Sequence, residues 1–211
     1  MASRLDGLTL VFTLFLTGLA GEAALPASGA RVLRYRPDRV RDPFLDDGAP
    51  PAQAAQLYFH SLAALEAAAA QLAAGAQAEA MQVHRFAVPH PWKHGPATYC
   101  TYLVAYEGPA DDEAAWLAHY LEHHPPLMAK LPAIRELEIY TPLAWRCPPQ
   151  LRRVRSLQRN KVAFDTAADL AAALDSPVRR EMRADFDRFP PYRGRVTHYA
   201  MTTEVVLNVA P

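Results

Sequence analysis

Cysteine is scarce in this chain: 211 residues contain two, Cys100 and Cys147. Two cannot build the disulfide framework of a small secreted domain, and their spacing is not that of a metal-ligand pair. Both stand in apolar, strand-like surroundings, so free buried thiols in a reducing compartment, the cytoplasm, are expected. An excess of charge is also lacking. Twenty-two Lys and Arg balance twenty-two Asp and Glu, so no overall field draws the chain to nucleic acid or to an anionic membrane. The arginine-dense stretch WRCPPQLRRVRSLQRNK (145–161) reads as a solvated loop entering a strand rather than a phosphate-binding patch. Also missing are a Gly-rich nucleotide loop, a G-x-S-x-G elbow and zinc-ligand spacing.

Long apolar runs are few. LTLVFTLFLTGLAG (8–21) holds roughly twelve apolar residues, too few to span a bilayer. Its length suits a signal-peptide core, but the preceding MASRLDG carries Asp6 beside Arg4, a weak positive flank. The alternative, a buried first strand LTLVFTLF (8–15), is favoured because the rest of the chain needs it.

What is present is a globular composition, 51% hydrophobic and 21% charged. TYCTYLVAYEG (98–108) reads as a strand, and DDEAAWLAHYLEHHPPLMAKLP (111–132) as a helix with an acidic start, stopped by Pro125 and Pro126. IRELEIYTPLAW (134–145) alternates apolar and charged residues like a half-buried strand. RNKVAFD (159–165) is a strand, and Thr166 with Asp169 approximates a capping box. Ser176-Pro177 starts another helix with Val178, Met182, Phe186 and Phe189 as its apolar stripe. RVTHYAMTTEVV (195–206) closes the series. The order is strand, helix, strand, strand, helix, strand.

The first half echoes that order with its first helix reduced. LYFHSLAALEAAAAQLA (57–73) aligns with VAFDTAADLAAAL (162–174), pairing Phe59 with Phe164, His60 with Asp165 and Ser61 with Thr166. ARVLRYRPDRV (30–40) and AMQVHRFAV (80–88) supply further strands, and PHPWKHGP (89–96) reads as a linker. The expectation is an α+β chain of two ferredoxin-like units, 1–92 and 93–211. Each antiparallel sheet leaves one face bare, and two bare faces can close against each other as a barrel within one chain. A homodimer stays compatible with this arrangement.

The stretch from Trp116 to Pro132, WLAHYLEHHPPLMAKLP, resembles the signature helix of EthD-like proteins, named for ethyl tert-butyl ether degradation. The matching positions are Trp116, Tyr120, His124, Pro126, Leu127, Leu131 and Pro132, with the F-P-x-Y-x-G turn (189–194) and the strand bearing His198. The resemblance covers about 110 residues of the second half. It implies the dimeric α/β-barrel superfamily, whose members bind hydrophobic or aromatic small molecules between sheet and helices. Some similar proteins are cofactor-independent monooxygenases, polyketide cyclases or dehydratases, isomerases, or haem-handling proteins. Fold alone does not select among these.

Trp116, Tyr120 and His124 recur at intervals of four and share a helical stripe. A neutral imidazole at His124 suits proton transfer near pH 7; the structural alternative is a histidine bonding a free carbonyl at the helix end. His123, about 100° round the helix, is expected at the edge. His119 and His123 have i, i+4 spacing but no H-E-x-x-H pattern and no evident third ligand, so no metal and no cofactor are expected. His198 is the second candidate catalytic residue, and Trp116, Tyr120, Tyr140 and Tyr99 are candidate ligand-binding residues. Asp165 is assigned to the strand–helix junction. The leading expectation is a protein that binds a hydrophobic or aromatic small molecule and performs cofactor-independent acid/base chemistry on it: dehydration, cyclisation or isomerisation. The alternatives are a non-catalytic binding protein and a haem-handling or monooxygenase-type barrel.

Overall fold

The computed structural model describes residues 11–19, 25–26 and 29–208. In chain order its elements are β1 (Phe12–Thr17), β2 (Arg31–Pro37), β3 (Ala54–Phe59), α1 (Leu62–Ala69), β4 (Gln77–Phe86), β5 (Thr98–Glu107), α2 (Glu113–Met128), β6 (Glu136–Pro142), β7 (Arg152–Arg153), β8 (Gln158–Phe164), α3 (Ala167–Leu174), α4 (Val178–Phe186) and β9 (Arg195–Asn208). The expected strand at 8–15 is seen from Phe12 and continues to Thr17; residues 8–10 lie outside the described set. The reduced first helix concerns a segment partly outside it as well.

Around the sheet the strands run β1, β3, β2, β9, β5, β8, β6, β4 and back to β1, each antiparallel to its neighbours. The order fourth-first-third-second thus occurs twice, once in each half, and the two sheets join edge to edge through β2–β9 and β4–β6. The result is an α+β fold: an eight-stranded barrel with helices outside. Only closure of this kind removes every sheet edge. The two-residue β7 adds a short parallel pairing to β4.

Alternation along each strand sorts the residues into a barrel interior and an outer layer. On β5, Cys100, Tyr102, Val104 and Tyr106 join the core beneath the helices, whereas Thr101 bonds Thr203 at 2.6 Å on the other face. The alternation in β6 is as expected, but its charged side does not meet water. Glu138 is fully buried inside the barrel. It accepts from the hydroxyls of Tyr58 (2.5 Å) and Tyr140 (2.6 Å), and from Arg85 Nε at 2.9 Å. Lys161 Nζ, also without exposure, lies 2.9 Å from Glu138 and 3.0 Å from Glu136. Arg31 forks onto Glu136 at 2.9 and 3.2 Å. Buried charge persists here because every member is paired.

Three local expectations fail. The helix does not stop at the proline pair: α2 runs through Pro125 and Pro126 to Met128. Proline's fixed φ is itself helical, and what it removes is a donor. The last turn is held instead by Ala129 N–H donating to the Pro125 carbonyl at 2.9 Å and by burial of Pro125 and Met128. Ser176 does not cap α4 through its side chain; its hydroxyl donates back to the Ala173 carbonyl at 2.7 Å. The Thr166–Asp169 capping box is formed on α3. Cys100 is a buried free thiol, while Cys147 is a half-buried free thiol in the loop after β6, not in a strand.

Candidate functional site

Between the outer face of the second-half sheet and α2, α3 and α4 lies a cavity of about 720 Å³. Its floor is set by strand register. Asn160 on β8, Val104 on β5 and His198 on β9 are direct partners in one row, and Val162, Tyr102 and Ala200 form the next. Met128 and His124 from α2, Leu170 and Leu174 from α3, and Met182 and Phe186 from α4 make the roof and walls. The lining is mainly apolar, which suits a hydrophobic ligand.

His124 is 4% exposed and is held from behind by Asp185 of α4, Nδ1 to Oδ2 2.8 Å. A carboxylate oxygen accepts, so Nδ1 carries the proton and Nε2 is left as a base. Burial sets the pKa of His124 below the ordinary histidine value, with the Asp185 bond acting in the opposite direction. The imidazole is therefore neutral at pH 7. His198 repeats the arrangement: its Nδ1 lies 2.7 Å from Asp47 Oδ2, which also accepts from the His198 backbone N–H at 2.8 Å. Burial lowers its pKa too, again against its carboxylate partner. Two histidine–carboxylate pairs thus face one cavity.

Asp47 comes from the first half of the chain. Residues 38–48 form a strap over the cavity mouth, bringing Phe44 and Leu45 to its wall. Asp42 anchors the strap, accepting from Tyr102 Oη at 2.5 Å and from Arg179 Nη2 at 2.7 Å. Asp38 accepts from Thr202 Oγ1 at 2.8 Å.

The sequence-derived candidates divide three ways. His124 and His198 meet in the cavity. Trp116 and Tyr120, both fully buried, stand one layer behind it. Their rings stack at 5.3 Å and pack on Tyr106, which does line it. Tyr120 Oη accepts from Asn160 Nδ2 at 2.8 Å, linking the helix to the floor. Tyr140 and Tyr99 are not brought to this cavity. Tyr140 bonds Glu138 within the barrel, and Tyr99 accepts from Arg31 Nη2 at 3.1 Å; odd-numbered residues of β5 and even-numbered ones of β6 point to the interior. Asp165 accepts from Trp92 Nε1 and Arg135 at the strand–helix junction, as expected. His119 and His123 lie with ring centres 4.5 Å apart. Among the described residues no group of three or more His, Cys, Asp or Glu is placed to hold a metal, and no helix is long and apolar enough to cross a membrane.

Sequence reasoning missed Asp185, Asp47, Asn160 and Tyr102. Asp185 had a signal: with Val178 and Met182 it continues the apolar stripe of α4 at helical spacing, where an unpaired carboxylate would be costly. Asp47, in a loop 151 positions from its histidine, had none.

No family model matches the sequence, and no curated protein does. Among solved structures, an anthrone oxidase-like protein is similar over 95% of each chain, at 12% identity and a TM-score of 0.60. A Lactobacillus acidophilus protein described as a candidate monooxygenase is similar over 96% of this chain and 98% of its own, at 10% identity and a TM-score of 0.53. An ethyl tert-butyl ether degradation family protein from Bacillus halodurans aligns with 47% of this chain and 96% of its own, at 19% identity and a TM-score of 0.37. At such identities the first two likenesses concern the fold, which is that of the dimeric α/β-barrel proteins, contained here in a single chain.

Proposed function

We propose that this is an EthD-like protein that binds a hydrophobic, ring-bearing small molecule in the cavity and moves a proton on it, with His124 as the base. The observation that carries the reading is the His124–Asp185 pair in an apolar cavity. A neutral imidazole with Nδ1–H tied to a carboxylate offers Nε2 to an acidic C–H or O–H, and the carboxylate stabilises the imidazolium that results. Return of that proton to another atom of the ligand gives isomerisation; departure of a hydroxyl or attack on a carbonyl gives dehydration or ring closure. No cofactor is needed for these steps. The names of the anthrone oxidase-like and candidate monooxygenase neighbours suit a second reading, in which the deprotonated ligand reacts onward with oxygen. The site would be assembled from both proposed units, 1–92 and 93–211, because Asp47 precedes the division.

The test uses 2-tetralone in D2O. Proton magnetic resonance should show α-hydrogen exchange accelerated by the protein. His124→Ala should abolish the acceleration while the ketone still raises the melting temperature. Binding without acceleration in the wild type would instead make this a carrier. A variant melting far below wild type would make His124 structural.

A further inference from the structure

One of the residues that line the cavity carries a buried polar atom with nothing to bond. Asn160 is 2% exposed; its Nδ2 donates to Tyr120 Oη at 2.8 Å, but its Oδ1 is buried without a partner. Leaving a buried amide oxygen unsatisfied is unfavourable, and such exceptions to full pairing call for a cause. Among the other cavity-lining residues only Arg179, at Nε, has a buried side-chain nitrogen or oxygen without a partner. That arginine is already tied to Asp42 in the strap. Asn160 Oδ1 serves nothing else.

We infer that Asn160 is a specificity-determining residue: its Oδ1 accepts a hydrogen bond from a phenol or enol hydroxyl of the ligand. This rests on the reading of the cavity as a ligand site and sharpens it. Tyr120 fixes the orientation of the amide. With Nδ2 committed to the tyrosine oxygen, whose own proton points to Met128 Sδ at 3.6 Å, the carbonyl edge is the one left over. The same tyrosine packs on the His124 ring at 5.1 Å, so a hydroxyl on Asn160 sits on the side of the base. From there a flat ring extends over Val104 toward His198, two strand spacings or about 10 Å across the floor. Ethers and plain hydrocarbons fit the apolar walls but leave Oδ1 unpaired, and are selected against in the way a site built for a hydroxyl rejects analogues lacking it.

The test compares 2-naphthol, 2-methoxynaphthalene and naphthalene by calorimetric titration of the full chain. 2-Naphthol should bind about tenfold more tightly than 2-methoxynaphthalene, which keeps the oxygen but has no proton to give. Asn160→Leu should bring the two affinities together while retaining naphthalene. Equal affinities for the two in the wild type, or an undiminished preference in Asn160→Leu, would overturn the inference and leave the apolar cavity standing. Failure of all three to bind would overturn the cavity reading with it. Should Asn160→Leu not fold, the wild-type ratio alone decides.

Discussion

The two halves of the barrel carry sheets of the same strand order but dress them differently. In the second half, α2, α3 and α4 lie over the sheet and enclose the cavity between them. In the first half, the eight-residue α1 packs with Trp145 and Leu151, which arrive on a loop from the second half. The covering is reciprocal, because the strap of residues 38–48 crosses the other way. A loop carrying large apolar side chains fills a sheet face densely, with Trp145 8% exposed and Leu57 not exposed beneath it. Three helices resting on aromatic spacers such as Tyr106 and Phe186 leave space. Burial is achieved in both halves; among the described residues, the cavity of about 720 Å³ lies on the second-half sheet.

The comparison can be broken most forcefully from the barrel interior, which both halves share. Lys161→Met would leave Glu136 and Glu138 without their ammonium partner and should cost about 3–5 kcal/mol, read by urea denaturation. A cost below about 1 kcal/mol would mean the carboxylates are not held by Lys161. Trp145→Ala should cost about 3 kcal/mol through the void it leaves on the first-half sheet, yet leave naphthalene affinity unchanged. A change in that affinity would show that the two outer layers are coupled.

Asp42→Ala does the reverse: it strands the Tyr102 hydroxyl and should cost about 1–3 kcal/mol, with a loss of naphthalene affinity that Trp145→Ala lacks. The pH dependence follows from the two histidines, whose folded pKa values lie below the unfolded value of about 6.5. The unfolded chain then binds more protons, so stability is full above pH 6.5 and falls as pH drops below it, until the folded histidines also titrate. The melting temperature should decline from pH 7.5 to 5, less steeply when both histidines are replaced by glutamine. Thr166→Ala, which removes the α3 cap, should cost about 1 kcal/mol and change nothing at the base; a shift in 2-tetralone exchange would contradict that separation.

Much of the fold was legible. Recurring aromatic and β-branched residues in TYCTYLVAYE marked β5, RVTHYAMTTEVV was read as the closing strand that is β9, and the Thr166–Asp169 pair marked the start of α3. The interval of four from Trp116 to His124 correctly placed one buried helical stripe. What alternation cannot give is the side on which polar residues end. The charged face of ELEIY turned inward because Lys161, Arg31 and Arg85 meet it there, and those partners come from three other strands. Tyr140 and Tyr99 were drawn away from the cavity by the same effect. The histidines were visible, but their carboxylates depend on tertiary contacts: Asp185 sits 61 positions from His124.

The strap also has a consequence for how the protein is made. Asp47 is synthesised 151 residues before His198, and β2 before β9, its neighbour in the finished ring. A nascent chain holding only the first half exposes two unpaired edges: that of β4 until β6 emerges, and that of β2 until the last strand leaves the ribosome. Pairings of such long sequence separation form slowly, and open edges invite association with other chains meanwhile. The second histidine–carboxylate pair therefore forms only after ring closure brings the end of the chain to its beginning, so its assembly reports on completion of the fold.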